Sequence, residues 1–326
     1  MAKIDWRLIG AFAAVYIIWG STYLAIRFAI ETVPPFLMAS SRFLIAGALM
    51  YGWARLRGLP HPRRVHWQGA AIVGGLLLLG GNGILSWAEQ RVPSGLAALL
   101  VATVPLWMVL MDSVQRRVVP AGQVIVGLLL GLLGLALLIG PGLWVGNSAL
   151  DPVGLGAILI ASFSWALGSL ASRKVQLPEA PLMATATEML AGGALLLLVA
   201  LAFGEGGQLS LGDISLRSAL SLGYLILFGS IVAFTAYVWL LNNTTPARVS
   251  TYAYVNPVVA VFLGWAFASE GLTAQTLIAA AVIVAAVVII TTHREKAQDE
   301  APQPRHENQS PIALPADCLE SSATRL

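Results

Sequence analysis

The sequence predicts an all-α integral membrane protein with ten transmembrane helices in two inverted five-helix repeats. Three observations predict this fold. Hydrophobic residues make up 57% of the 326 positions and charged residues only 11%, far below the roughly 25% charge of a soluble domain. Residues 120–150 and 218–247 contain no Asp, Glu, Lys or Arg, and about 20 apolar residues suffice to cross the hydrocarbon core. Finally, part of the first half recurs in the second.

The internal repeat has an offset of 146 positions over residues 19–49. Its matched residues are Trp19, Arg27, Pro35 and Gly47 in the first half and Trp165, Arg173, Pro181 and Gly193 in the second. Further along the chain the offset becomes 152, so that Trp87 and Pro105 correspond to Trp239 and Pro257. A duplicated chain that is also this apolar is typical of transporters built from structural repeats.

Apolar windows between charged or Pro/Gly positions define ten predicted helices. They cover about residues 8–29, 35–54, 68–88, 93–113, 121–140, 153–172, 181–203, 217–240, 247–268 and 272–292. Residues 1–147 form the first repeat and residues 148–292 form the second. Residues 293–326 are polar and proline-rich, so we expect a disordered cytoplasmic tail there. No soluble domain is left over.

Loop charges orient these helices. With both termini in the cytoplasm, thirteen Lys and Arg residues lie on the inner side, and only Arg27, Arg91 and Arg217 lie on the outer side. This distribution follows the positive-inside rule. Because each repeat has five helices, an odd number, the second repeat enters the membrane from the opposite face. Inverted repeats of this kind place a cavity between the two halves and are a common basis of alternating access.

Polar, small and aromatic side chains on the predicted helices define a candidate substrate cavity. Such residues contact either a cavity or another helix, and helix packing is the alternative for each of them. The candidates are Tyr16, Trp19, Tyr23, Asn82, Ser86, Trp87, Thr103, Pro105, Trp107, Ser162, Trp165, Ser169, Tyr237, Ser250, Tyr252, Tyr254, Asn256 and Pro257. Pro105 and Pro257 occupy equivalent mid-helix positions, where a proline bends the helix. The aromatic rings favour flat, amphipathic or cationic solutes.

Two charged residues fall well inside the predicted helices. Arg42 and Glu188 are equivalent at the offset of 146, but they enter the membrane from opposite faces. We interpret Arg42 as a structural intramembrane charge. Glu188 is the coupling candidate, because a carboxylate within the membrane can bind and release a proton.

Enzyme chemistry has no support in the sequence. The four histidines, His61, His66, His293 and His306, fall in predicted loops or in the tail, and no HExxH, Walker or nucleophile-elbow pattern occurs. We therefore expect no catalytic site, metal, cofactor or nucleic-acid partner. The expected partners are the lipid bilayer, a small organic solute and, as a candidate coupling ion, protons. Secondary transport is the leading hypothesis, and the chain is either a monomer or a homodimer. The alternatives are a metabolite uptake carrier or facilitator, and a non-transporting receptor or scramblase.

Three segments resemble the EamA repeats of the drug/metabolite transporter superfamily. They read WGSTYLAIRFAIETVPPFLMASSRFLIAGALM, SWAEQRVPSGLAALLVATVPLW and TTPARVSTYAYVNPVVAVFLGWAFASEGLT. The resemblance covers about residues 8–292 and is strongest to bacterial inner-membrane exporters of the YedA type. It implies ten helices, cytoplasmic termini and export of small organic molecules. One feature departs from the family: of the two acids that members often place after helices 4 and 9, only Glu270 is present.

Overall fold

The computed structural model describes residues 6–117, 151–243 and 252–299, with scattered positions between 122 and 137. Within these residues, all regular secondary structure is helical. In chain order the helices are α1 Trp6–Ala29, α2 Pro35–Leu56, α3 Arg64–Ala88, α4 Ser94–Val101, α5 Val104–Arg116, α6 Pro152–Ala171, α7 Pro181–Ala202, α8 from Leu216 to Asn243, α9 Tyr252–Ala268 and α10 Ala274–Asp299. Among them α1, α2, α3, α6, α7 and α8 are long and apolar enough to cross a membrane.

Prolines and short polar side chains begin several of these helices. Pro35 and Pro181, which are equivalent in the two halves, both stand at the first position of their helix, where the missing N–H has no intrahelical partner to lose. Asp151 caps α6 by accepting a hydrogen bond from the backbone N–H of Val153 at 3.0 Å. The helix starts are therefore set by local chemistry.

The observed helices differ from the predicted ones at two places. The predicted helix 93–113 is divided into α4 and α5, because the chain turns at Ala102 and Thr103. At the other end of the chain, α10 continues to Asp299, although the tail is predicted to begin at residue 293. The residues HREKAQD are mostly good helix formers, and the next proline is Pro302. The described positions between 122 and 137, within the predicted helix 121–140, are helical. The rest of that helix, the start of the predicted helix 247–268 and residues 300–326 lie outside the described residues.

The α2 and α7 helices pack against each other through equivalent residues. A Cβ atom added at Gly47 would lie 3.0 Å from the backbone nitrogen of Leu190, and one added at Gly193 would lie 3.0 Å from that of Leu44. Leu44 and Leu190, like Gly47 and Gly193, are equivalent at the offset of 146. The glycine of each helix therefore packs against the equivalent leucine of the other helix. Such reciprocal contacts are the pattern that a twofold relation produces. The order of these contacts makes the two helices antiparallel.

In the described part of the chain, three helices contain π-helical segments, in which each backbone N–H bonds to the carbonyl five residues earlier instead of four. The segments are Val15–Trp19 in α1, Gly75–Gly83 in α3 and Leu225–Val232 in α8. α3 and α8 are the third helices of their halves, so both halves carry this feature at the same place. π-helical turns are rare and occur frequently at functional sites. All three segments contribute to the cavity described below.

Ion pairs and buried carboxylates join helix ends at one end of the bundle. Arg217 pairs with Glu31 at 3.3 Å, and Arg91 pairs with Asp151 at 3.2 Å. Each of these pairs connects a residue near the end of a first-half helix to one near the start of a second-half helix. Glu31 and Asp151 therefore both lie at a boundary between the two halves.

Two carboxylates of the second half bind the N-termini of first-half helices at this same end. The Glu205 carboxylate accepts hydrogen bonds from the first N–H groups of α2, the shorter from Leu37 at 2.8 Å. The Glu270 carboxylate accepts from the backbone N–H and the hydroxyl of Ser94, both at 2.7 Å, and from the N–H of Gly95 at 3.0 Å. N–H groups at a helix start have no intrahelical acceptor, and the helix dipole favours negative charge there. Both carboxylates thus tie the halves together.

Candidate functional site

A cavity lies between the two halves and is lined by residues of α1 to α6, α8 and α9. Each π-helical segment supplies part of its wall: Trp19 from α1, Asn82 from α3 and Gly229 from α8. The sequence-predicted residues that line it are Trp19, Tyr23, Asn82, Pro105, Ser162, Trp165, Tyr252, Asn256 and Pro257. The structure therefore brings together candidates from both repeats. Among the described residues, no group of three or more His, Cys, Asp or Glu side chains could hold a metal ion.

The other candidates lie close to the cavity or outside the described residues. Ser86, Thr103 and Ser169 donate their hydroxyls to carbonyls of nearby residues in the chain, namely Asn82 at 2.8 Å, Leu100 at 2.6 Å and Trp165 at 2.8 Å. Those hydrogen bonds satisfy the hydroxyls locally, as in helix packing. The side chains of Tyr16, Trp87, Trp107 and Tyr237 are not among the lining residues. Ser250 and the side chain of Tyr254 lie outside the described residues.

An aromatic cluster centred on Trp19 forms one wall of the cavity. Its ring lies 4.9 Å from that of Tyr237, 5.2 Å from that of Tyr252 and 6.0 Å from that of Phe234, measured between centroids. The Trp19 indole Nε1 donates a hydrogen bond to the carbonyl of Gly229 at 3.2 Å. Trp19 therefore joins α1 to both α8 and α9. Edge-to-face rings of this kind present flat apolar surface together with polar edges.

Asn256 and Pro257 bring α9 against α1 at the cavity. With its amide oriented to satisfy the surrounding acceptors, Asn256 donates to the carbonyls of Tyr16 at 3.1 Å and Tyr252 at 3.2 Å. A Cβ atom at Gly20 would lie 2.7 Å from the side chain of Val259, so only a glycine allows this approach of the two helices. The polar side chain that the sequence places beside Pro257 thus bonds to backbone groups on both helices.

Arg42 is the one charged side chain among the described lining residues. It is buried, its Nε donates to the hydroxyl of Ser230 at 2.8 Å, and its guanidinium lies 4.8 Å from the ring centroid of Phe43. A Cβ atom at Gly229 would lie 3.1 Å from its Nη2. The bond to Ser230 joins α2 to the π-helical segment of α8, and the same group presents positive charge to the cavity.

Glu188, the residue equivalent to Arg42, has different surroundings. It is half-buried on α7 and is not among the described lining residues. Its backbone carbonyl faces Gly74 of α3, where an added Cβ atom would lie 2.6 Å away. The structure therefore places this turn of α7 in the packing between α7 and α3.

Glu89 is a site residue that the sequence-based candidates omit. Its side chain is 0% exposed, and neither carboxylate oxygen has a hydrogen-bond partner. Glu89 follows Leu85 by four positions and Asn82 by seven, spacings that share one helical face, and both of those residues line the cavity. This spacing was visible in the sequence, but burial at a helix end was not.

Comparison with known proteins identifies the family. The model of the EamA-like transporter family matches residues 6–140 and again residues 152–292. The chain belongs to the EamA-like transporter family. The resemblance noted in the sequence is thereby confirmed, and the two matches correspond to the two halves of the chain.

Several proteins are similar to this EamA-like chain over most of its length. "Uncharacterized inner membrane transporter YedA" of Escherichia coli (strain K12) is 44% identical over 270 residues, which cover 82% of this chain and 84% of that protein. "Uncharacterized transporter YoaV" of Bacillus subtilis is 26% identical, covering 82% and 90% respectively. A protein known from its crystal structure shares the fold with a TM-score of 0.59 and 22% identity, covering 88% of this chain and 97% of its own.

Proposed function

We propose that this EamA-like protein is a secondary transporter that exports small amphipathic organic solutes across the bacterial inner membrane by alternating access. The observation that carries the proposal is the cavity between the halves, whose wall combines both family-model matches and all three π-helical segments. A cavity lined mainly by apolar and aromatic groups with a few polar ones is typical of a small-molecule site. The relatives named as transporters, one of them an inner-membrane protein, support the same function.

The proposal includes ten helices in two inverted repeats with cytoplasmic termini. The reciprocal contacts of α2 and α7 support the inverted relation, because equivalent helices of inverted repeats run antiparallel. The end of the bundle that carries Glu31, Asp151, Glu205 and Glu270 is then the outer face. Loops rich in Lys and Arg lie at the other end, as the positive-inside rule requires.

Cysteine labelling tests this topology. In a Cys318→Ser background, cysteines at Thr32 and Gln208 are expected to react with an impermeant thiol reagent added to intact cells. Cysteines at Pro60 and Lys174 are expected to react only after the cells are permeabilised. Labelling of the second pair in intact cells would contradict the inverted arrangement.

The cavity wall narrows the class of solute. Trp19, Trp165 and Tyr252 present aromatic surface to it, which suits flat or amphipathic molecules. Arg42 adds a buried positive charge, and a guanidinium pairs best with a carboxylate or another oxygen acceptor. An organic solute with an apolar body and an anionic or carbonyl oxygen therefore fits better than a simple cation.

A flux assay in proteoliposomes tests the function. Vesicles are loaded with aromatic carboxylates, neutral amphipathic molecules or cationic drugs, and efflux is followed with and without a pH gradient. We expect efflux of the aromatic carboxylates, its loss in Trp19→Ala, and its retention in Trp265→Ala, a control ring that is 54% exposed on α9. An efflux rate that is the same with and without the pH gradient would favour a facilitator. Uptake in place of efflux would favour an import carrier. No flux of any solute by folded protein would favour a receptor or, if labelled lipids cross the bilayer, a scramblase.

Protons are the proposed coupling ion. The sequence-based coupling candidate is Glu188, which is not among the described lining residues. Efflux driven by a pH gradient that persists in Glu188→Gln would show that the proton is carried elsewhere.

A further inference from the structure

Glu89 has a buried carboxyl group near the cavity that makes no hydrogen bond. Its side chain is 0% exposed, and its two carboxylate oxygens are buried without a hydrogen-bond partner. Burying an ionised carboxylate without donors is far more costly than burying a neutral acid. Buried polar atoms without a partner are rare in proteins, and a functional role is one recognised reason for them. The surroundings of Glu89 therefore suit the neutral carboxylic acid.

The nearby cations are engaged with other groups. Arg27 of α1 donates to the backbone carbonyl of Glu89 rather than to its carboxylate. Arg42 of α2 donates its Nε to a serine of α8, and Arg91 pairs with Asp151 at the start of α6. Both Arg27 and Arg42 still act on the Glu89 carboxylate through their charge. None of these three arginines forms an ion pair with it in this structure.

The neighbouring carboxylate, Glu270, has the opposite surroundings. It interacts electrostatically with Glu89, yet it accepts three hydrogen bonds from Ser94 and Gly95 at the N-terminus of α4. Glu89 has no such donors, so of the two carboxyl groups it is Glu89 whose surroundings suit the neutral acid.

The position of Glu89 connects it to the cavity. Leu85 and Asn82, one and two turns earlier on the same face of α3, line the cavity wall, and so does Tyr23, which interacts electrostatically with Glu89. Beyond Glu89, the chain leaves α3 and reaches the exposed Arg91, which pairs with Asp151. Glu89 therefore lies between the cavity and the end of the bundle that we propose to be the outer face.

We propose that Glu89 is a proton-binding site at the outer end of the cavity, neutral while that end is closed and exchanging its proton with external water when it opens. The proposal rests on the transport function above. Opening would hydrate the carboxyl, and Arg27, already bonded to the Glu89 backbone, is close enough to pair with the ionised form. One proton taken from external water converts this carboxylate back into the acid, and closure of the outer end then buries it. Proton uptake is thereby linked to the movement of the outer helix ends.

Infrared difference spectroscopy tests this site without knowledge of the solute. The full chain, reconstituted in lipid nanodiscs, is titrated from mildly acidic to mildly basic pH, and the C=O band of protonated carboxylic acids is followed in H₂O and D₂O. We expect a buried acid band at neutral pH that Glu89→Gln loses. The band should persist in Glu31→Gln, a control carboxylate on the same end of the bundle, and in Glu188→Gln.

The outcomes separate this site from the transport function. Loss of the band in Glu188→Gln with an unchanged band in Glu89→Gln would overturn the proposal, as would a wild-type protein without any such band. If Glu89→Gln does not fold, Glu89→Asp serves instead: it should keep the band but shift the pH at which it titrates, and an unshifted titration would contradict the assignment. The band could depend on Glu89 in a protein that transports no solute in the flux assay. That result would contradict the transport function but would still support Glu89 as a proton-binding site.

Discussion

The equivalent prolines of the two halves lie in different backbones. In the first half the helix stops at Val101, turns at Ala102 and Thr103, and restarts as α5 one residue before Pro105. In the second half, α9 runs without interruption from Tyr252 to Ala268, although Pro257 lies inside it. Both prolines line the cavity. A proline at equivalent positions therefore follows an interruption of the helix in the first half, the α4–α5 joint, but lies within a continuous helix in the second half.

The polar groups next to the two prolines also differ. Next to Pro105, the hydroxyl and the backbone N–H of Thr103 both donate to the carbonyl of Leu100, at 2.6 and 3.1 Å, which closes a tight turn. Next to Pro257, the amide of Asn256 donates to the carbonyl of Tyr252 at 3.2 Å and so satisfies a backbone acceptor of α9 without a turn. A proline in a helix leaves the carbonyl four positions earlier without its N–H donor, which is Val101 for Pro105 and Ala253 for Pro257. A tight turn precedes Pro105, whereas the helix continues through Pro257.

The largest difference between equivalent positions is expected for Arg42 and Glu188. Arg42→Ala removes a buried charged hydrogen bond, which contributes about 1.5–3 kcal/mol, together with the charge of the cavity wall. We expect solute flux in proteoliposomes to fall at least about tenfold, equivalent to ~1.4 kcal/mol, whereas Glu188→Gln retains solute exchange. Arg42→Lys, which keeps the charge but not the planar group, should be intermediate. Equal losses in Arg42→Ala and Glu188→Gln would show that the two positions act alike.

The prolines are expected to differ by a smaller margin. Pro105→Ala supplies the missing N–H and allows α4 and α5 to join into one helix, so we expect flux to fall about tenfold. Pro257→Ala changes a helix that is already continuous, and its flux should stay within about threefold of the original, or ~0.7 kcal/mol. Flux and thermal unfolding are measured for both variants. A larger loss in Pro257→Ala would mean that α9, rather than the α4–α5 joint, is the part that moves.

The two carboxylates that cap first-half helices should also differ. Glu270 accepts three hydrogen bonds and Glu205 accepts two, so Glu270→Gln should lower the unfolding temperature more than Glu205→Gln. We expect a decrease of a few degrees for each variant, since about 1 kcal/mol corresponds to roughly 2–4 °C in chains somewhat shorter than this one. Glu31→Gln, which loses only an exposed ion pair, is the control. A reversed order would contradict the assigned hydrogen bonds.

The smallest effect is the pH dependence at Glu205. Burial raises the pKa of this carboxyl above its usual value, although the N–H groups of Leu37 and Phe36 oppose the shift. A raised folded-state pKa means that the folded protein binds this proton more tightly than the unfolded chain does. Its contribution to stability is therefore full below the unfolded-state pKa and is lost as the pH rises through the folded-state value. Glu205→Gln should flatten this part of the curve of unfolding temperature against pH, and an unchanged curve would exclude Glu205 as the cause.

Hydropathy and the positions of prolines predicted where most of the described helices lie. A membrane span needs about 20 apolar residues, and prolines begin α2, α6 and α7. The break at Thr103 was not predicted, since it depends on a turn in which the hydroxyl and N–H of Thr103 both bond to the Leu100 carbonyl, and hydropathy does not register such bonds. Of the residues predicted for the cavity, Trp19 and Tyr252 lie in its wall, whereas the hydroxyl of Ser86 bonds to a carbonyl of its own helix, as any helical serine can. Their roles in solute binding remain predictions. Glu89 was missed because its burial depends on neighbouring helix ends.

The glycine contact between α2 and α7 has a mechanical consequence. Gly47 lies against the backbone of Leu190, and Gly193 lies against that of Leu44, so two equivalent close contacts hold α2 and α7 together at the same level. In the proposed alternating-access cycle we therefore expect α2 and α7 to move little against each other near Gly47 and Gly193, and we expect larger movements in helices farther away, including α1, α8 and the α4–α5 joint. Any side chain larger than hydrogen at either glycine would displace a backbone on the partner helix. Such a change would misalign both halves at once, because each glycine is a neighbour of the other's helix.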